Sequence, residues 1–135
     1  MSQEKSKVFL VEDDLIMRRL YEWAFRLMGH EIDTAYDGEE AIRKLDAMEP
    51  LPSIVLLDLI MPKVNGFEVL AHIKGSEKLK QIPVIVLTNS AGKEEAEKAI
   101  GMGAIMYLIK SEYEPKEVVK KVEAVVAKYA GGSPS

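Results

Sequence analysis

The stretch SIVLLDLIMPKVNG, residues 53–66, runs almost unbroken through apolar residues to Asp58 and then turns on Pro62 and Gly66. A continuous apolar run of this length suits a strand covered on both faces, as in a parallel sheet flanked by helices. A lone carboxylate at the end of such a strand is expensive to desolvate. Something else in the chain has to arrive at the same place.

Working outward, four further runs read as strands: VFLV at 8–11, EIDTA at 31–35, PVIVL at 83–87 and IMYLI at 105–109. Each strand, including the central one, is followed by a segment with helical spacing. The helix over about 15–28 carries Ile16, Leu20, Trp23, Ala24 and Leu27 on one stripe and stops at Gly29, so this stripe is expected to face the core, with Met28 packed beside it. Helices over about 38–47, 66–74, 93–101 and 115–130 are predicted to turn inward Ala41, Ile42 and Leu45, then Phe67, Leu70 and Ile73, then Ala96, Ala99 and Ile100, then Val118, Val122, Val125 and Val126. Strand and helix in alternation imply a parallel sheet with right-handed crossovers. For this size the expected α/β solution is a (βα)5 three-layer sandwich of flavodoxin-like type with strand order 2-1-3-4-5, ligands binding at the carboxyl ends where the winding reverses. One domain over 1–130 and a flexible tail, GGSPS, at 131–135 are expected.

Composition narrows the function. A net charge of −4 argues against direct nucleic-acid binding, which rests on clustered Lys and Arg. The absence of cysteine removes disulfides, thiolate metal sites and cysteine nucleophiles. VFLV is too short for a signal peptide or a membrane span, so a cytoplasmic protein is expected. His30 and His72 are isolated and are expected to be solvated or packed rather than metal-bound.

In the 2-1-3-4-5 order the first and third strands are neighbours, about 4.8 Å apart. Glu12 and Asp13 therefore share a pocket with Asp58. Two unit charges about 5 Å apart repel by roughly 3 kcal/mol at an effective dielectric near 20, so the cluster must protonate, spread or bind a cation. Hard oxygen donors without His or Cys point to Mg²⁺. The plainer reading of Glu12, Asp13 and Asp14 is that they complement the positive end of the first helix, with Asp14 as its cap. Thr88 and Lys110 could likewise be a turn residue and a solvated end. Their arrival at neighbouring strand ends, however, supplies the hydroxyl and ammonium that a transferred phosphoryl group needs.

Over residues 7 to about 129 the motifs FLVEDD, LLDLIMPKVNG, VIVLTNS and GAIMYLIK resemble, in order and spacing, the response-regulator receiver domain of bacterial two-component systems. The resemblance implies that Asp58 is the phosphoacceptor. It further implies that Glu12, Asp13, Asp58 and the Ile60 backbone carbonyl hold Mg²⁺, and that Thr88 and Lys110 bind phosphoryl oxygens. Met61, Pro62 and Gly66 match the loop after the acceptor, where Pro62 would stiffen the chain and Gly66 permit the turn into the third helix. A histidine kinase or histidine phosphotransfer protein would be the donor, and the chain would act as a stoichiometric switch rather than an enzyme of sustained turnover.

Thr88 and Tyr107 match the pair that couples the phosphate to an output surface on helix four, strand five and helix five, where Met102, Met106 and Tyr107 are candidates. Tyr107 also reads as an ordinary sheet residue. The downstream protein is unnamed, and a monomer or a weak phosphorylation-dependent dimer is expected.

Two features depart from the family pattern. Ser111 follows Lys110 where receivers commonly carry a proline after a cis peptide bond, leaving the loop free to run trans and aim Lys110 differently. Ile60 and Ser90 stand where the family tunes hydrolysis, and isoleucine cannot orient water by hydrogen bonding.

Other readings fit less well. An aspartyl-phosphate phosphatase wants an acid where Ile60 stands. A nucleotide- or flavin-binding domain wants a glycine-rich loop where EDDLIM would repel phosphate. A phosphorylation-independent scaffold would not need the full set of acceptor, metal and phosphate-contact residues.

Overall fold

The computed structural model describes residues 6–61, 65–89 and 93–130. Pro62, Ser90 and the 131–135 tail lie outside them. Five strands, β1 (Lys7–Val11), β2 (Glu31–Ala35), β3 (Ile54–Asp58), β4 (Val84–Thr88) and β5 (Met106–Ile109), alternate with α1 (Leu15–Leu27), α2 (Gly38–Ala47), α3 (Gly66–Gly75), α4 (Lys93–Gly101) and α5 (Pro115–Ala130). The sheet is parallel throughout, in the predicted order β2-β1-β3-β4-β5.

Period-two alternation divides the strands between two cores. Phe9, Val11, Val55, Leu57, Val84 and Val86 face the side covered by α2, α3 and α4, where Leu45, Leu70, Ile73 and Ala99 meet them. Val8, Leu10, Ile54, Leu56, Ile85 and Leu87 face α1 and α5, against Tyr21, Phe25, Val118 and Val122. Every residue of β3 and β4 is buried, which accounts for their near-continuous apolar sequence. The registers Val11↔Leu57, Asp58↔Leu87 and Thr88↔Ile109 bring the carboxyl ends of four strands to one level.

The inward face of α1 differs from expectation. Tyr21, Ala24 and Phe25 are its buried residues, while Ile16, Trp23 and Leu27 are 70%, 58% and 59% exposed, and Leu20 and Met28 are exposed as well. Successive helical residues stand about 100° apart, so of two adjacent apolar stripes only one can face the sheet. Of the expected stripe Ala24 does face the core, joined there by Tyr21 and Phe25. Ile100 on α4 is likewise exposed, with Ala96 and Ala99 taking the core. Phe67 on α3 is only partly buried, with the Lys98 ammonium 4.4 Å above its ring, while Val69 takes a core position instead.

Local signals close the elements. Asp14 caps α1, accepting from the Ile16 and Met17 amides at 2.9 and 3.2 Å. Asn65 and Glu68 form a reciprocal capping box at the start of α3. Gly29 ends α1 at φ +91°, a conformation that favours glycine. His30 and His72 each pair with a carboxylate, Glu123 at 2.7 Å and Asp46 at 2.8 Å. Among the described residues no helix is long and apolar enough to cross a membrane.

Candidate functional site

Because β1 and β3 pair directly, the residues that follow or end them converge. Glu12, one residue past β1, still donates its amide to the Ala35 carbonyl of β2 at 3.0 Å, and its own carbonyl accepts from Arg18 Nη1 at 2.9 Å. Its backbone is therefore held from both sides, and its side chain is fully buried. Asp13 is exposed beside it. Asp58 is the last residue of β3 and is 4% exposed. Carboxylate oxygens of Glu12, Asp13 and Asp58 lie within 4.8 Å of one another.

Lys110 reaches the same point from the end of β5. Its Nζ donates to Glu12 Oε1 at 2.5 Å and to Asp58 Oδ2 at 3.3 Å, and all three groups are nearly inaccessible. The other oxygens are engaged by the backbone: Asp14 N donates to Glu12 Oε2 at 3.1 Å, and Ile60 N to Asp58 Oδ1 at 3.2 Å. Among the described residues the cis peptide bond is Glu49–Pro50, so Lys110–Ser111 is trans. The departure at Ser111 does not pull the ammonium away, because a single 3₁₀ turn over Lys110–Glu112 carries the chain on while Lys110 stays buried.

Around these groups is a cavity of about 370 Å³ lined by Glu12, Asp13, Asp14, Asp58, Ile60, Asn89 and Lys110. Ile60 is exposed on its rim. Thr88 is buried at the end of β4, one residue before Asn89, and does not itself line the cavity. Tyr107 is 41% exposed, opposite Val86 in the sheet. Asn89 and Arg18 carry no such signal in the sequence: Asn89 is simply adjacent to Thr88, and Arg18 reads as a solvated helix residue.

Electrostatics follow from burial. Asp58 is pushed up to about 7 by desolvation first; the Lys110 ammonium opposes this, Glu12 adds to it, and the Ile60 amide opposes it. Burial alone would lower the Lys110 ammonium, but the carboxylates of Glu12 and Asp58 outweigh it and raise Lys110. A carboxyl raised in the folded protein stabilises it fully below the unfolded value and loses that contribution as pH rises through the folded one. The metal-free protein is thus expected to lose stability between about pH 4 and pH 7, by on the order of 2–4 kcal/mol from Asp58. Chemical denaturation in EDTA across that range checks this, and a flat profile would contradict it.

The donor set is all oxygen, anionic and preorganised, and so fits a hard divalent cation such as Mg²⁺, with Glu12, Asp13 and Asp58 as the side chains able to hold it.

Comparison with known proteins agrees with this arrangement. The family model for the response regulator receiver domain matches residues 8–123. The chain is 32% identical over 124 residues to the probable transcriptional regulator ycf27 of Guillardia theta, covering 92% of this chain and 46% of that regulator, so it spans about half of that relative's length. The crystal structure of the phosphorylated cyanobacterial phytochrome response regulator RcpA superposes with a TM-score of 0.80 at 33% identity, over 98% of this chain and 100% of that one. The Mn(2+)-bound form of response regulator Rcp1 gives 0.78 at 33% identity, over 88% and 92%. With its sheet order, its acidic cleft and a family match over residues 8–123, the chain belongs to the response regulator receiver domain family of two-component systems.

Proposed function

We propose that this receiver is a phosphoacceptor switch in which Asp58 takes a phosphoryl group from the phosphohistidine of a histidine kinase or phosphotransfer protein. The observation that carries the reading is the meeting of Glu12, Asp13 and Asp58 oxygens within 4.8 Å, with one buried ammonium touching both Glu12 and Asp58. Relatives described as phosphorylated and as Mn(2+)-bound support it. An Asp58 oxygen attacks phosphorus in line, the P–N bond to the donor histidine breaks, and an acyl phosphate forms on Asp58. Glu12, Asp13, Asp58 and the Ile60 carbonyl would hold Mg²⁺, which when bound supplies positive charge that favours ionised Asp58 and offsets charge on the phosphoryl oxygens.

Lys110, already 3.3 Å from Asp58 Oδ2, swings from the carboxylate to a phosphoryl oxygen. Thr88 binds another, and Tyr107, now half outward, turns inward to alter the α4/β5/α5 surface that a downstream protein reads. The reaction is stoichiometric: the chain speeds its own modification and its own hydrolysis, and releases no turned-over product of a second substrate. A monomer, or a weak dimer formed on phosphorylation, suits this role.

The test is incubation with acetyl phosphate, with and without Mg²⁺, followed by intact mass. One added phosphoryl group that depends on Mg²⁺ is expected; no addition, or addition independent of the metal, would reject the reading. The Ile60 side chain, on the cavity rim, offers attacking water no hydrogen-bonding group. Ile60→Asn is therefore expected to speed phosphate release about tenfold, the value of roughly one added hydrogen bond. Equal release rates would remove Ile60 from that role.

A further inference from the structure

Arg18, in the first turn of α1, ties that helix back to the end of β1. Its amide donates to the Asp14 carbonyl at 2.9 Å, and its guanidinium leans toward the helix N-terminus and donates from Nη1 to the Glu12 carbonyl, also at 2.9 Å. The side chain is partly buried and does not line the acidic cavity. It lies instead along a groove on the outer side of α1, with Leu15, Arg19 and Trp23. The phosphoryl transfer proposed above makes no use of it.

Between the two carbonyls that Arg18 holds stands Asp13. Asp13 is exposed, and among the described residues nothing hydrogen-bonds its amide or its carboxylate. Its side chain is therefore aimed by the two rigid peptide planes that flank it. The plane before Asp13 is fixed by Arg18 at the Glu12 carbonyl, and the plane after it by the Asp14 amide, which donates to Glu12 Oε2 at 3.1 Å. These two restraints are not equivalent. The Asp14 bond depends on the Glu12 carboxylate, which is itself one of the three groups able to hold a divalent cation. The Arg18 bond is made to a main-chain oxygen and depends on no ligand. A carboxylate already held in place loses less conformational freedom when it binds.

We propose that Arg18 is a positioning residue of this site: by fixing the Glu12–Asp13 peptide it keeps the exposed Asp13 carboxylate beside Glu12 and Asp58, ready for Mg²⁺. It acts through the main chain and touches neither the metal nor the phosphoryl group. The inference deepens the phosphoacceptor reading and rests on it.

Arg18→Met keeps most of the stem and deletes the donor together with the charge. The two ways Arg18 could act have opposite signs. A positive charge beside an acidic cleft repels an incoming cation, so an arginine acting by charge alone would, once removed, leave Mg²⁺ bound more tightly. An arginine acting through the Glu12 peptide would leave it bound more weakly, and calorimetric titration with MgCl₂ is expected to show about tenfold weaker binding in Arg18→Met than in wild type. Arg19→Met removes the same charge from the exposed neighbour and is expected to bind Mg²⁺ at least as tightly as wild type. Unchanged or tighter binding in Arg18→Met, or equal weakening in both variants, would overturn the proposal. In metal-free protein the NMR order parameter of the Asp13 amide is expected to fall from about 0.85 in wild type to below about 0.6 in Arg18→Met, and an unmoved value would overturn the proposal. Wild type that takes up no Mg²⁺ would instead overturn the metal reading, and the metal-free order parameter would then decide Arg18 alone. Should the Met variant not fold, side-chain nitrogen relaxation in wild type is expected to find the Arg18 guanidinium held and that of Arg19 mobile. Equal mobility of the two would overturn the proposal.

Discussion

Asp58→Asn is expected to abolish phosphoryl uptake from acetyl phosphate and, in the same protein, to raise the stability of the metal-free fold. The first effect follows from chemistry: a carboxamide has no anionic oxygen with which to displace the donor. The second follows from the cost of the charge it replaces. Asp58 is 4% exposed and is raised to about 7 chiefly by burial, so above that pH the folded protein carries a buried charge whose desolvation costs stability. Asparagine removes that cost while Lys110 keeps Glu12 Oε1 at 2.5 Å. At pH 8 in EDTA the variant is expected to be more stable by on the order of 2–4 kcal/mol. Its pH profile should also be flatter than wild type between about pH 4 and pH 7. Intact mass after incubation and paired denaturation curves check both effects. A variant that is phosphorylated like wild type, or less stable than it at pH 8, would contradict the assignment.

Gly66→Ala carries the largest expected structural effect. Gly66 opens α3, and a Cβ there would fall 2.3 Å from the Asp58 carbonyl oxygen and 2.5 Å from Leu59 Cα. Both are backbone atoms at the end of β3, and the Gly66 amide also donates to the Leu59 carbonyl at 3.0 Å. No side chain can move aside to relieve the overlap, so either α3 lifts away or the acceptor residue shifts. A loss of about 3 kcal/mol or more, and a melting temperature lower by roughly 10 °C, is expected, together with impaired phosphoryl uptake. Gly75→Ala, at the other end of α3 with nothing within 4 Å of its added methyl, provides the contrast. It is expected to be neutral or stabilising by up to about 1 kcal/mol. Equal effects of the two substitutions would refute the close-approach explanation.

The chain order of strands and helices was readable because each strand is short, apolar and closed by polar or turn residues, and each helix has its own period. The acidic site was readable for a related reason: Glu12, Asp13, Asp58 and Lys110 break apolar patterns at strand ends, and parallel topology puts those ends together. Tertiary choices were not readable. Two apolar stripes on α1 compete, and with Tyr21, Ala24 and Phe25 buried against the core Trp23 is left facing solvent. Gly66 could be recognised as special, but the reason is contact with Asp58 and Leu59 backbone rather than a turn conformation. The Asn65–Glu68 box is written in the sequence as an N-x-x-E pattern at the start of α3.

Asp58 belongs to the β3 ladder and is matched to Leu87 across the sheet, so its main chain is clamped like an anvil. A blow struck on its side chain cannot be absorbed by the strand beneath. The recoil has to pass to the side chains that meet it, to the Lys110 ammonium 3.3 Å away and from there to Glu12. Communication in this molecule is therefore expected to run as a relay of swinging side chains over a stiff, motionless floor.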